Sequence, residues 1–278
     1  MRRTGIVGAM SLLLLVIGLA CAAGSSAAEY EVEGLPEAGR CVKVKRGMGE
    51  YLGGKCVQVK GVHGGEFDWI PAKEEEHLKF SGAGGTTLLT VSNNPLRSVS
   101  CIDTNIHGEW TGRHTALVHF ELQGCTNGEN VQCQTGAAKS EINGEFPARL
   151  GLVSKRFSST GKEIVEAGLD FKPSGVNTVL FAYECGGGPL EETRIEGSLI
   201  GQVHPINAMT LKQIIWLQTI NGKQQFTKFI EGEEDVAGAS WMNGLSTETA
   251  PATFGIAKKT YEGENEGHKV EIKAQVKE

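Results

Sequence analysis

Two histidines and two glutamates on neighbouring strand-like stretches are the residues whose types and spacing come nearest to chemistry. The segments from Asp103 to Trp110 and from Thr115 to Gln123 alternate apolar and polar residues, the period of two that marks a strand with one buried face. With Gly112, Arg113 and His114 as the turn, Ile106 faces Phe120, Trp110 faces Ala116 and His107 faces His119. Glu109 and Glu121 share the histidines' face. Two imidazoles and a carboxylate at that separation are donors of the kind zinc takes, with water in a remaining position, so His107, His119, Glu109 and Glu121 are the candidate metal ligands. A secreted hydrolase or metal-dependent enzyme would use the same four groups, with Glu109 and Glu121 as its carboxylate pair. The simpler reading, which alternation by itself supports, is a solvated sheet face: Asp103, Asn105 and Gln123 are also on it, and Leu117 is its one apolar member.

No other pattern names a catalytic residue. The chain has no Gly-x-Ser-x-Gly elbow, Walker loop, dinucleotide fingerprint, His-Glu-x-x-His helix or Cys-x-x-Cys pair, so no cofactor is expected and the leading reading is non-enzymatic. Gly186-Gly187-Gly188-Pro189 reads as a turn. Glu231, Glu233, Glu234 and Asp235 could collect Ca2+, but such a run is ordinarily a solvated loop. Trp110 reads as core, whereas Trp69, Trp216 and Trp241 are candidates for an exposed platform for sugars or proteins.

The elements that hold these residues belong to an exported chain. Arg2 and Arg3, the apolar run from Ile6 to Ala22 and the small residues up to Ala28 read as a secretory signal peptide over residues 1–28. Cys21 offers a lipoprotein alternative, with Gly18-Leu19-Ala20 before it in place of the usual branched apolar residue. Loss of Arg2 and Arg3 takes the 27 basic residues to 25 against 33 acidic ones, a net charge of about −8 in place of −6. That balance disfavours nucleic acid, and no apolar run after residue 28 is long enough to span a bilayer as a helix. Six cysteines remain: Cys41, Cys56, Cys101, Cys125, Cys133 and Cys185, which in an exported chain read as three disulfides. Proximity favours Cys41 with Cys56 and Cys125 with Cys133, leaving Cys101 with Cys185.

Residues 29–75 form a glycine- and cysteine-rich arm, in which Gly39-to-Val44 and Lys55-to-Val59 read as a hairpin stapled by Cys41 and Cys56, with Phe67, Trp69 and Ile70 as docking anchors. Residues 76–278 form the main β domain. Its strands are expected at Thr86 to Val91 and Leu96 to Cys101, and along the alternating series Ile142 to Leu152, Val165 to Phe171, Val179 to Tyr183 and Ile195 to Val203. Leu211 to Ile220 reads as a central strand ending in an Asn221-Gly222 hairpin turn. Phe254 and Ile256, then Val270 to Val276, read as a terminal hairpin. Gly108, Gly144 and Gly197 recur in similar settings, each two residues from apolar neighbours, and predict three strands bending over one core. No long capped helical period occurs, so the fold class is all-β: an antiparallel sandwich or partly closed barrel with a small disulfide-stapled N-terminal hairpin.

Several stretches resemble a family of secreted bacterial proteins of unknown function. They are Pro36-to-Val44, Gly168-Leu169-Asp170-Phe171-Lys172-Pro173, Glu196-Gly197-Ser198-Leu199-Ile200-Gly201, Asn207-to-Thr210, Gly222-Lys223-Gln224 and Val270-Glu271-Ile272. The resemblance implies secretion, paired cysteines and glycine-rich strands, and it carries no activity. The expectation is an exported, disulfide-stabilised β protein that binds, or is structural, at the cell envelope or outside the cell. An envelope component, a glycan or a protein is the expected partner.

Overall fold

The computed structural model describes residues 36–57, 64–137, 139–173, 178–186, 192–230, 232, 236–243, 246–256, 261–265 and 269–274. The segment read as a signal peptide, Cys21, Gly187 to Pro189 and the acidic run apart from Gly232 fall outside them. The described residues begin with β1 (Glu37–Lys43) and β2 (Phe67–Pro71), followed by a short 3-10 turn at Glu74–Glu76. Next come β3 (Leu78–Gly84), β4 (Thr87–Val91), β5 (Val99–Cys101), β6 (Asp103–Trp110) and β7 (Thr115–Gln123). Two short pieces, β8 (Thr126–Asn127) and β9 (Cys133–Gln134), precede the long pair β10 (Glu141–Phe157) and β11 (Glu163–Phe171). Then follow β12 (Val179–Cys185), β13 (Thr193–Glu196), β14 (Leu199–His204), β15 (Lys212–Trp216), β16 (Thr219–Ile220) and β17 (Lys223–Gln224). The last are β18 (Gly238–Asn243), β19 (Ser246–Ile256), β20 (Tyr261–Asn265) and β21 (Glu271–Lys273).

Eight of these strands close a barrel in the order β10-β11-β14-β15-β20-β3-β6-β7, and eight others form an open sheet, β8-β5-β4-β19-β18-β13-β12-β9. Closure leaves no exposed edge in the barrel, which removes the unpaired amides that would invite another chain. The alternating residues supply the core. Phe120, Phe146 and Phe171 of the barrel meet Phe181 and Phe254 of the open sheet, with Phe120 within 5.2–6.2 Å of the other four ring centroids. All five rings are buried to within 1% of full burial.

The hairpin register is the one the sequence predicts: Ile106 pairs with Phe120, His107 with His119, Gly108 with Val118 and Trp110 with Ala116. A Cβ on Gly108 would lie 2.3 Å from Phe80 Cζ and 2.6 Å from the Leu117 carbonyl oxygen. Gly108→Val is therefore expected to lower stability by roughly 1–3 kcal/mol through overpacking, read as a lower urea midpoint. An unchanged midpoint would place this glycine on an open face. Gly144 is a second close approach, since its Cβ would meet the Leu180 carbonyl oxygen at 2.6 Å. Gly197 differs from the expectation. It stands at φ +97° between β13 in the open sheet and β14 in the barrel, so it turns a corner between sheets.

The N-terminal strand pair and its Cys41–Cys56 bridge are present, but the partner strand is not Lys55 to Val59. β1 pairs with β2 on one edge and with β21 on the other. Phe67, Trp69 and Ile70 thus belong to the partner strand itself, and the Trp69 ring covers Gly39, whose Cβ would lie 2.3 Å from it. The other two disulfides join Cys101 to Cys125 and Cys133 to Cys185, correcting the Cys125–Cys133 pairing expected from chain proximity and the Cys101–Cys185 pairing left over from it. Cys125 and Cys133 are indeed neighbours, the Cys133 amide donating to the Cys125 carbonyl at 3.0 Å. Cys133 nonetheless pairs in register with Cys185 on β12, so its sulfur meets that partner across the ladder.

Further differences follow from pairing. The strand expected from Leu211 to Ile220 is broken into β15 and β16, although Asn221 and Gly222 form the tight turn with φ +52° and +75°. The return strand from Leu96 shrinks to β5. Instead of a terminal hairpin, β19 pairs with β18 and β4, while β21 pairs with β1.

Candidate functional site

Alternation along β6 and β7 turns His107, Glu109, His119 and Glu121 to the outer wall of the barrel. The imidazoles of His107 and His119 lie 18° from parallel with centroids 6.1 Å apart. Glu121 Oε1 is 3.3 Å from His107 Nε2 and 3.8 Å from His119 Nε2. On the far side of His119, Glu145 of β10 brings Oε2 to 3.8 Å from Nδ1. Glu109 turns away and reaches His77, with Oε2 3.3 Å from Nδ1. The structure therefore gathers His107, His119 and Glu121, and separates Glu109 from them. Among the described residues, no three His, Cys, Asp or Glu side chains stand in ready metal-holding geometry.

The same wall carries a cleft of about 770 Å³ that sequence reasoning missed. Its floor is one row of the strand register: Thr115 on β7 pairs with Arg149 on β10, Arg149 with Asp170 on β11, and Asp170 with Ile200 on β14. Pro147, Lys172, Pro173 and Ser198 extend the lining, and Thr227, Lys228, Phe229 and Gly232 reach it from the segment after β17. Glycines admit that segment. Gly151 and Gly168 are register partners on the outward positions of β10 and β11, and a Cβ on Gly151 would fall 2.5 Å from the Phe229 ring. The Ile230 amide donates to the Leu152 carbonyl at 2.8 Å, tying the segment down. Two glycines at positions where alternation asks for polar side chains were the signal for a covering element.

Charge distinguishes the cleft. Near the tip of the β10–β11 hairpin, basic side chains are paired, Lys155 with Glu163 at 2.7 Å and Arg156 with Glu166 at 3.3 Å. Arg149 and Lys228 are exposed and form no ion pair among the described residues, in a chain where acidic residues outnumber basic ones. The tryptophans are used otherwise. Trp110 is core as expected, and Trp69 has Lys273 Nζ 3.9 Å above its ring. Trp216 lies against His204 with ring centroids 4.8 Å apart and planes tilted by 52°, and burial pushes that imidazole below its ordinary pKa, with Glu166 opposing. The Trp241 side chain lies outside the described residues.

Comparison with protein-family models, curated proteins and solved structures returned no match. Fold and covalent links define a disulfide-bonded all-β protein. Its three bridges suit an oxidising, extracytoplasmic environment.

Proposed function

We propose that this is an exported, non-enzymatic binding protein of the cell envelope or extracellular space, and that its cleft takes an acidic glycan. The observation that carries this reading is the two exposed cations, Arg149 and Lys228, which form no ion pair among the described residues, in a cleft that also has an apolar side. A carboxylate or phosphate group set between them gains charge-assisted hydrogen bonds, while Pro147, Pro173, Ile200 and Phe229 cover the less polar face of a sugar. Among the described residues the lining holds one carboxylate, Asp170, and no imidazole or thiol, which suits retention of a ligand better than acid–base chemistry. Two of the stretches that resemble the secreted family contribute here: Gly168-to-Pro173 supplies Asp170, Lys172 and Pro173, and Glu196-to-Gly201 supplies Ser198 and Ile200.

An array carrying neutral, uronate-bearing and phosphate-bearing glycans tests the proposal. Retention on the acidic members is expected, weakened at least about tenfold by Arg149→Ala or Lys228→Ala, since one hydrogen bond to a charged group is worth about 1.5–3 kcal/mol. Equal binding to neutral and acidic glycans, no binding to any, or indifference to both substitutions would count against it.

A further inference from the structure

We propose that Gly151 is a positioning residue of the cleft: it seats the Phe229 ring and thereby fixes Lys228, one residue earlier, for its contact with an acidic ligand. The inference rests on the acidic-glycan reading. The two cations are held in unlike ways. Arg149 stands in the barrel ladder, paired with Thr115 on one side and Asp170 on the other, so the sheet sets its place. Lys228 belongs to no strand. Its strap, residues 225–230, begins with the Gln225 amide donating to the Gln218 carbonyl at 2.9 Å and ends with the Ile230 amide on the Leu152 carbonyl at 2.8 Å. Between these ties the strap meets the wall at Gly151, through the ring of the residue after Lys228.

The register shows why this glycine serves. Gly151 on β10, Gly168 on β11, Gln202 on β14 and Trp216 on β15 form one row of paired positions on the outer wall. Gln202 is 4% exposed, so the row is covered although it faces outward. At Gly168 the wall itself takes the space: a Cβ there would lie 2.6 Å from Val153 Cγ1, at the bulge between Leu152 and Ser154, and 2.9 Å from Ile200 Cγ2. At Gly151 the strap takes it, with three ring carbons of Phe229 at 2.5–2.6 Å from where a Cβ would stand. A residue without a side chain leaves that seat open. A lysine on an unanchored loop gives up its freedom on meeting an anion and gains little, whereas one whose backbone is already placed loses less.

Titration calorimetry with oligogalacturonate and with a glycerol-phosphate oligomer, together with hydrogen exchange at the Ile230 amide, tests the seat in the disulfide-bonded protein. Gly151→Val is expected to expel the ring, to weaken acidic binding about tenfold, as far as Lys228→Ala does, and to speed exchange at Ile230. The Ala252 amide, bonded to the Ala237 carbonyl in the open sheet, should keep its protection and so report that the fold is intact. On the Lys228→Ala background Gly151→Val should weaken binding no further, because it acts through that lysine. In Gly151→Val/Phe229→Ala the valine fills the place the ring gives up, and protection of Ile230 should return with part of the affinity. Undiminished acidic binding in Gly151→Val, a further tenfold loss on the Lys228→Ala background, or no recovery in the double variant overturns the proposal. If the parent binds neither probe the acidic-glycan reading falls, whereas the seat is judged at Ile230: faster exchange in Gly151→Val upholds it and unchanged exchange overturns it.

Discussion

Replacing Cys133 and Cys185 together by alanine is expected to cost about 4 kcal/mol of stability, because their bridge closes the longest loop, 52 residues in sequence. On the chain-entropy argument the Cys41–Cys56 bridge, with a separation of 15, contributes about 3 kcal/mol. The Cys133–Cys185 link also joins β9 to β12 at the end of the open sheet, where β9 has two residues with which to hold its place. Urea denaturation of the oxidised proteins measures both losses. A deficit under about 1 kcal/mol for the Cys133/Cys185 variant would show that the open sheet holds its end strand without the bridge. Non-reducing peptide mapping checks the connectivity separately.

The second large effect is expected at Phe120. Its ring is 1% exposed and touches Phe146 and Phe171 from the barrel and Phe181 and Phe254 from the open sheet. Truncation to alanine removes contacts on both sides and leaves a cavity that neighbouring strands, pinned by their ladders, cannot collapse to fill. A loss of about 3–5 kcal/mol follows. Phe157, 68% exposed near the tip of the β10–β11 pair, is the control, and Phe157→Ala should change stability by no more than about 0.5 kcal/mol. Comparable small losses at both positions would mean that the two sheets do not share one core.

The hairpin from Asp103 to Gln123 was legible because its information is local. Alternation, a short turn and a sum rule for facing residues set the register, and every facing pair named from it is found. The Asn221-Gly222 turn was legible for the same reason, since positive φ at two successive positions selects those residues. The strand partner of β1 was not legible. Lys55 to Val59 alternates well enough to compete with Phe67 to Pro71, and the choice rests on Trp69 lying over Gly39 and on β21 returning from the far end of the chain. Of the disulfides, proximity found Cys41–Cys56 but not the other two, for a related reason: cysteines carry no local mark of their partners, and for these four, closeness along the chain loses to register across strands.

The candidate sites divide along the same line. His107, His119 and Glu121 come together because two consecutive strands place them so, while Glu109 reaches His77, before β3, a neighbour that comes from outside the hairpin. The cleft unites Thr115, Arg149, Asp170 and Ile200 from four strands with Lys228 and Phe229 from a fifth segment. The sequence alone determined the all-β class, the two faces of each regular strand, the tight turns and the number of cysteines available for bridges, all of which depend on residues within a few positions of one another. Only the tertiary structure decided which strands close the barrel, which sulfurs join and which outward-facing charges share a cleft. Those choices depend on contacts between distant segments whose energies are settled by packing.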